Sequence, residues 1–212
     1  MVDIAPNHHA TTTVDPLTDA PRYAATISPP PAVRVDRQPA ATNTDAPHDS
    51  SGTAVRYVLA GVRVALGWVF LWAFLDKTFG LGHDTVAAKS WINGGSPTKG
   101  FLGSASKGPF SGFYHSIAGN GFVDVLFMVA LLGIGVALIL GIGMRLAAAA
   151  GVVLTVMMWS AVLPPDSNPF MDDHLIYAGV LVALALLAAG NALGLGRMWA
   201  RLPLVQRATW LK

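Results

Sequence analysis

Four long apolar runs fill most of the chain after residue 54 and determine its predicted architecture. They cover residues 55–75, 122–142, 146–163 and 175–195, and each is 18 to 21 residues long. A helix needs about 20 residues to cross roughly 30 Å of hydrocarbon. The pattern therefore predicts an all-α membrane protein built on a four-transmembrane-helix bundle.

The connections between the later runs are short and contain turn-forming residues. Only residues 143–145 separate the second run from the third, which predicts an antiparallel hairpin. Pro164 is expected to end the third helix, and Asp172 or Asp173 to cap the N-terminus of the fourth. Consecutive helices should therefore run in opposite directions.

Small residues recur at four-residue spacing inside three of the runs. They are Gly61 with Ala65, Gly133 with Ala137 and Gly141, and Ala185 with Ala189. Such spacing lets two helix backbones approach closely in lipid, where no hydrophobic force drives helices together. We expect the helices of the bundle to touch at these positions.

The connection between the first and second runs, residues 76–121, is long and rich in glycine and aromatic residues. It has eight glycines between residues 80 and 112, together with side chains such as Trp91, Phe101 and Tyr114. A free linker does not need these rings, whereas a loop folded over the bundle would bury them. The sequence predicts a long structured outer loop with short helical pieces near residues 84–92 and 108–117.

Residues 1–54 differ in composition from the rest of the chain. Eight of the fourteen prolines lie in this Pro/Ala/Thr-rich segment, and it has no continuous apolar stretch of the kind that marks a secretory signal peptide. Too little apolar surface is available to offset the entropy of ordering. We expect a disordered, solvated tail, or alternatively a docking segment for a partner.

The overall composition supports the membrane assignment. Hydrophobic residues make up 53% of the chain and charged residues 12%, whereas about a quarter of the residues in a soluble domain are charged. Basic residues precede the first run, Arg145 lies in the hairpin turn, and residues 197–212 form a basic C-terminal segment. The positive-inside rule then predicts a multi-pass protein of the inner or plasma membrane with both termini in the cytoplasm. Four lysines in the long connection oppose this orientation, but loop charge is a weaker guide in long loops.

Several kinds of chemistry are excluded or unsupported by the residues present. The chain has no cysteine, so it cannot supply a thiolate nucleophile, a cysteine-bound zinc or an iron–sulfur cluster. The histidines show no metal-ligand spacing, and we predict no metal site. Motifs for phosphate binding, nucleophilic hydrolysis and nucleic-acid binding are also missing. Any redox chemistry must therefore use a bound group.

Arg63 is the least expected residue because it lies eight positions into the first apolar run. A charge near the bilayer centre costs about 2.5 to 3.5 kcal/mol even on insertion scales, so the side chain should face protein or water. Two interpretations stay open. Arg63 is either a functional or bundle-interior residue, or a long side chain that reaches back to the headgroups.

Polar residues from all four runs fall at the outer ends of the predicted helices. His174, Tyr177 and Lys77 could donate hydrogen bonds to a quinone, Trp72 and Trp159 could flank its ring, and Asp173 could orient His174 or relay a proton. The four lysines of the long connection could attract an anionic substrate; they are Lys77, Lys89, Lys99 and Lys107. The alternative is that the acidic residues only cap a helix and the tryptophans only anchor it at the interface.

Four stretches in order resemble the DoxX/DoxD-like membrane proteins, which include the large subunit of thiosulfate:quinone oxidoreductase. They read SWINGGSPTKGF, KGPFSGFYHSIAGN, GIGVALILGIGMRLAA and WSAVLPPDSNPFMDDHLIYA. The resemblance covers about residues 55–212. It implies a four-helix membrane protein that oxidises thiosulfate or another reduced sulfur species, uses ubiquinone or menaquinone as electron acceptor, and works with a smaller partner subunit or within a larger membrane complex. Without cysteine, the sulfur species would have to be held noncovalently.

The resemblance also points to Lys77, Trp91, Lys99, Asp173 and His174 as positions to test. The candidate set is therefore divided into catalytic residues, Lys77, Asp173 and His174, and quinone- or substrate-binding residues, Arg63, Trp72, Trp91, Lys99, Trp159 and Tyr177. The predicted function is that of a membrane subunit of a quinone-linked oxidoreductase. The alternatives are a noncatalytic scaffold or accessory subunit of a respiratory complex and, because of Arg63, a small transporter. No internal repeat supports the transporter.

Overall fold

A computed structural model describes residues 50–166 and 168–211. In these residues the structure is helical with turns and loops, and it contains no β-strand beyond one isolated bridge between Leu81 and Val86. Most of the predicted tail lies outside the described residues, but residues 50–54 form the first turn of a helix. The α-helices are α1 Ser50–Phe79, α2 Pro97–Gly100, α3 Ser111–Ile117, α4 Gly121–Leu140, α5 Met144–Ala161, α6 Asp173–Leu186, α7 Gly196–Trp199 and α8 Pro203–Arg207.

Three helices, α1, α4 and α5, are long and apolar enough to cross a membrane. Their 30, 20 and 18 residues correspond to about 45, 30 and 27 Å of helix. Large apolar side chains point outward along them, as at Val58, Val129 and Val153. Lipid rather than water accounts for such exposed apolar surface.

The fourth predicted span is wrong in extent. Helix α6 has 14 residues, which is about 21 Å, and it ends nine residues before the predicted end of the run. Ala188 and Leu193 both have positive φ, at 49° and 48°, a conformation that a helix cannot contain. The prediction treated the leucines and alanines of this segment as one span because the apolar run is continuous. Gly190, Asn191 and Gly194 within it are poor helix formers.

The long helices pack in chain order. Helix α1 packs against α4, α4 against α5 through their hairpin, and α5 against α6. Buried Phe70, Leu131, Ile134, Leu138 and Leu181 belong to the core between them. The hairpin turn begins at Gly141, which ends α4 in the left-handed conformation with φ +72°, two residues earlier than predicted.

The predicted small residues are only partly at helix contacts, since Gly141 closely approaches Arg63 and Ala189 belongs to the buried core, while two of the predicted glycines make no contact. Gly61 and Gly133 face open space, with no atom near the position of an added Cβ. A Cβ on Gly135 would instead lie 2.7 Å from the backbone nitrogen of Leu71, and one on Gly67 would lie 2.9 Å from Leu138 Cβ. Two positions along a helix turn about 200° around it, so Gly135 faces α1 while Gly133 faces away. The predicted contact at Gly133 is therefore on the wrong side of α4.

The loop between α1 and α4, residues 80–120, is structured as predicted, and we refer to it as the long loop. Short 3₁₀ helices at Ala87–Lys89 and Trp91–Asn93 fall in the first predicted helical piece. The second piece contains a 3₁₀ helix at Gly108–Phe110 followed directly by α3. Trp91 packs against the bundle core, and Tyr114 is buried. The aromatic residues thus hold the loop against the helices.

Candidate functional site

The predicted polar layer lies where the long loop meets the C-terminal ends of α1 and α5 and the N-terminal ends of α4 and α6. We call this the loop end of the bundle. Asp76, in the last turn of α1, accepts a hydrogen bond through Oδ1 from the backbone N–H of His83, at 3.3 Å. The ring of Phe101 in the long loop lies 6.5 Å from the ring of His174 on α6. All four helix ends are therefore close to one loop.

Asp124 connects the long loop to α4. Its Oδ1 accepts hydrogen bonds from Thr98 Oγ1 at 2.6 Å, from the backbone N–H of Thr98 at 3.0 Å and from Ser96 Oγ at 3.0 Å. Asp124 and Thr98 are both buried. Three donors on one oxygen compensate the cost of burying this carboxylate, so its role here is structural.

The long loop is also attached to α5. The backbone N–H of Lys107 donates to the carbonyl of Ala161 at 2.8 Å, and Tyr114 and Ser160 share a hydrogen bond of 2.5 Å. Lys107 Nζ forms an ion pair with Asp166 at 2.9 Å, but both side chains are largely exposed. An exposed pair contributes little to stability, so the backbone and buried tyrosine contacts hold this side of the loop.

His174 and Asp172 form the closest pair of titratable groups in the described residues. His174 Nδ1 lies 2.7 Å from Asp172 Oδ2, and the two side chains are 25% and 13% exposed. The other carboxylate oxygen of Asp172 accepts the backbone N–H of Leu175 at 3.2 Å and caps α6. The expected partner, Asp173, is exposed in the first turn of the helix. Asp172, rather than Asp173, therefore orients the imidazole.

Asp76 is a candidate that the sequence analysis left out of the site. Its side chain is 1% exposed, and its Oδ2 has no hydrogen-bond partner within the described part of the chain. A buried carboxylate oxygen without a donor is costly and is often found at functional sites. Its position beside Lys77 at the end of an apolar run was the available signal.

The other predicted residues at the loop end are spread over its circumference. Trp72 packs edge-on against His83, with ring centroids 5.2 Å apart. Trp159 Nε1 donates to the carbonyl of Phe170 at 2.7 Å, and Tyr177 packs against the core. These three aromatic residues are therefore held by contacts with other parts of the chain.

The predicted lysines do not join His174. Lys77 is half-buried and Lys99 is exposed, and the alkyl stem of Lys99 lies beside Gly119. Within residues 50–166 and 168–211, no hydrogen bond or ion pair links either lysine to the histidine. No group of three potential metal ligands occurs in these residues either.

Arg63 lies at the opposite end of the bundle, which we call the arginine end. It is 13 residues before Asp76, or about 20 Å along α1, so it is not part of the loop-end site to which we assigned it. The side chain is fully buried, and Nη2 donates to the carbonyl of Leu193 at 2.9 Å and to that of Ala192 at 3.4 Å. Arg63 is thus a bundle-interior residue and does not reach back to the headgroups.

Glycines make room for the buried guanidinium. A Cβ on Gly141 would overlap Arg63 Nη1, and one on Gly194 would lie 2.7 Å from the same atom. Nε and Nη1 of Arg63 have no hydrogen-bond partner among the described residues. The segment after α6 therefore covers the guanidinium but accepts hydrogen bonds from only one of its three nitrogens.

No protein-family model, no curated protein and no solved structure matches this chain. The likeness to DoxX/DoxD-like proteins therefore stays a prediction from the four sequence stretches, and the function has to be argued from the geometry of the loop end.

Proposed function

We propose that the protein is the membrane subunit of a quinone-linked oxidoreductase and that it binds quinone at the loop end, against His174. The observation that carries this proposal is the pair formed by His174 and Asp172, 2.7 Å apart. With Nδ1 held by the carboxylate, Nε2 of the imidazole is directed away from Asp172. No hydrogen bond to Nε2 is found in the described residues.

The residues around this pair fit the needs of a quinone, which supplies two-electron acceptor chemistry when bound. His174 can donate a hydrogen bond and a proton to a carbonyl oxygen, and Asp172 stabilises the charged imidazole that takes the proton back up. Phe101 provides an aromatic wall. Tyr177 lies three residues after His174, on the same face of α6, and its hydroxyl would supply a second hydrogen-bond donor.

Thiosulfate or a related reduced sulfur species is the proposed electron donor, on the basis of the family resemblance. The exposed side chains of Lys89 and Lys99 on the long loop would attract such an anion to the loop end. Because the chain has no cysteine, electron transfer does not pass through a persulfide on this subunit. A smaller partner subunit would complete the assembly.

The proposed topology follows from the basic residues. Arg56, Arg145 and Arg197 all belong to the arginine end, which we place in the cytoplasm together with both termini. The loop end then faces the outer side of a cell membrane, where a reduced sulfur anion would reach it.

The test uses the full chain in lipid nanodiscs with thiosulfate and a short-chain ubiquinone or menaquinone. Reduction of the quinone is followed by absorbance, and binding is followed by photolabelling with an azido-quinone. We expect His174→Ala to reduce both the rate and the labelling of α6 at least tenfold. His115→Ala, which changes an exposed histidine of α3, is the matched control and should leave both unchanged. Full labelling and rate in His174→Ala would rule out the proposed site.

A noncatalytic scaffold is the second candidate, and the contacts of Asp124 favour it. Three donors from the long loop converge on this carboxylate, which gives the loop end a rigid surface for a partner. A scaffold predicts that a purified native complex keeps its activity in His174→Ala but dissociates in Asp124→Ala. The oxidoreductase subunit predicts loss of activity in His174→Ala with the complex intact.

A further inference from the structure

A surface cavity of about 630 Å³ lies at the arginine end, between the start of α1 and the segment that follows α6. Three arginines line it: Arg56 from α1, and Arg197 and Arg201 from α7 and the turn after it. Asn191, Tyr57 and Met198 also line the cavity. All three arginine side chains are exposed, so a ligand can reach them.

These arginines face no acidic group in the described residues. Every Asp in that part of the chain belongs to the loop end, at positions 76, 84, 124, 166, 172 and 173, and the sequence has no Glu. Two ion pairs between described residues, Lys107 with Asp166 and His174 with Asp172, also lie at the loop end. No acidic group in the described part of the chain therefore competes with an anion for the three arginines.

Buried Arg63 lies directly behind the cavity wall. Its Nη2 donates to the carbonyls of Ala192 and Leu193, and both of these residues line the cavity. The bonds fix the wall in place, and the two unpartnered donors of the fully buried guanidinium add positive potential beneath it. This second observation separates the cavity from an ordinary cluster of surface arginines.

The chemistry of the wall matches a phosphate group joined to apolar chains. Arginine binds phosphate oxygens in a bidentate way. Tyr57 and Met198 in the wall are exposed, as is Val58 beside them on α1. Arg56 follows Val55, at which the first apolar run begins, so the arginines lie at the depth of lipid headgroups while the apolar side chains lie next to acyl chains.

We propose that this cavity binds an anionic phospholipid, with the phosphate held by Arg56, Arg197 and Arg201 and the acyl chains lying along the exposed face of α1. The site is independent of the loop-end function. It implies that the protein carries anionic lipid from its membrane into mild detergent.

The experiment measures lipid bound to the full chain in detergent by native mass spectrometry. Short-chain phosphatidylglycerol, short-chain phosphatidylcholine and inorganic phosphate are the three probes. We expect saturable binding of the phosphatidylglycerol and at least tenfold weaker binding of the other two. Each of the substitutions Arg56→Gln, Arg197→Gln and Arg201→Gln should weaken phosphatidylglycerol binding about fivefold, the effect of one basic residue near a membrane surface.

Two further variants keep the proposal falsifiable. Arg207→Gln removes one exposed arginine outside the cavity and should leave phosphatidylglycerol binding unchanged. An equal loss of binding in Arg207→Gln and Arg197→Gln would show that net charge alone accounts for the effect, and it would overturn the site. Asn191→Asp adds a negative charge to the wall without removing any arginine and should also weaken binding. Inorganic phosphate that binds as tightly as the phospholipid would overturn the lipid assignment, and unchanged binding in all three cavity-arginine variants would overturn the site.

Discussion

Arg63 Nη2 donates a hydrogen bond to the carbonyl oxygen of Leu193, and the two atoms are 2.9 Å apart although 130 residues separate them in the chain. The bond ties the first membrane helix to the segment that follows α6. The carbonyls of Leu193 and Ala192 both turn toward α1, which a continuous helix would not allow, because helical carbonyls are directed along the helix axis. The acceptors of the buried charge on α1 are thus available because the backbone after α6 is not helical.

The first prediction concerns the size and charge of residue 63. Arg63→Lys keeps the charge but shortens the reach to Leu193, so a buried cation loses its acceptors, and we expect about 3 kcal/mol loss of stability. Arg63→Met removes both the charge and its unpaired donors and should cost less. Thermal unfolding in detergent, followed by tryptophan fluorescence, measures both variants. A methionine variant less stable than the lysine variant would contradict this account of Arg63.

The second prediction compares two glycines of α4 that are two residues apart. A Cβ on Gly135 would lie 2.7 Å from the backbone of Leu71, and because backbone cannot easily move, Gly135→Ala should cost about 2 kcal/mol. Gly133 faces open space, and Gly133→Ala should be neutral or stabilise the helix by up to about 1 kcal/mol. Unfolding midpoints of the two variants in one detergent decide the comparison. Equal shifts of the midpoint would contradict a contact between α1 and α4 at Gly135.

The third prediction concerns Gly141, which has φ +72° and approaches Arg63 Nη1. Gly141→Ala should destabilise the protein by more than about 2 kcal/mol, from overlap with the guanidinium and from about 1 kcal/mol of left-handed strain. In the double variant with Arg63→Met the overlap with the guanidinium is relieved, and the left-handed strain and a 2.9 Å approach to the carbonyl oxygen of Gly190 remain, so the two effects should not add. Additive losses of unfolding free energy would show that the two residues do not interact.

The fourth prediction tests how Asp124 holds the long loop. Asp124→Ala removes the acceptor of three hydrogen bonds, and the loss of at least about 2 kcal/mol should open the loop and speed tryptic cleavage after Lys99 about 30-fold. Asp84→Ala changes an exposed carboxylate of the same loop and serves as the control. Unchanged cleavage in Asp124→Ala would indicate that the attachments to α5 suffice.

The fifth prediction rests on the proposed function and concerns the partner of His174. Asp172→Asn keeps a side-chain acceptor for the N-terminus of α6, since Asn caps helices as well as Asp, but it removes the charge that stabilises a protonated imidazole. The quinone reduction rate should fall about tenfold while the unfolding midpoint stays the same. A fall in stability without a fall in rate would leave Asp172 as a helix cap only.

Much of the helical framework could be predicted because apolar length and turn residues are local properties. Helices α4 and α5 begin and end within two residues of the predicted runs. The end of α6 could not be predicted in this way, since the apolar run continues into the non-helical residues that follow Leu186. The contact face of α4 was missed because glycines occur on both sides of that helix, and hydropathy does not tell which side meets α1.

The candidate site was predicted less well than the fold. The sequence places His174 beside a carboxylate at the start of the fourth helix, as the structure does, but the choice between Asp172 and Asp173 depends on the backbone there, where Asp172 is the one that reaches the ring. Arg63 was placed with the quinone-binding residues because a charge inside an apolar run favours a functional site, whereas its acceptors lie in a segment that was predicted to be helical. Asp76 was left out of the candidate set because the lack of a hydrogen-bond donor to its Oδ2 can be seen only in the folded chain.

The short α6 makes the hydrophobic thickness of the protein uneven around its circumference. The apolar run of α1 extends about 31 Å, while α6 provides about 21 Å of helix. Because non-helical backbone is not tolerated against hydrocarbon, lipid beside α6 would have to thin locally, which costs only fractions of a kcal/mol per ångström. Bilayers of short-chain lipid should consequently accommodate the protein with less deformation than thick, sterol-rich ones.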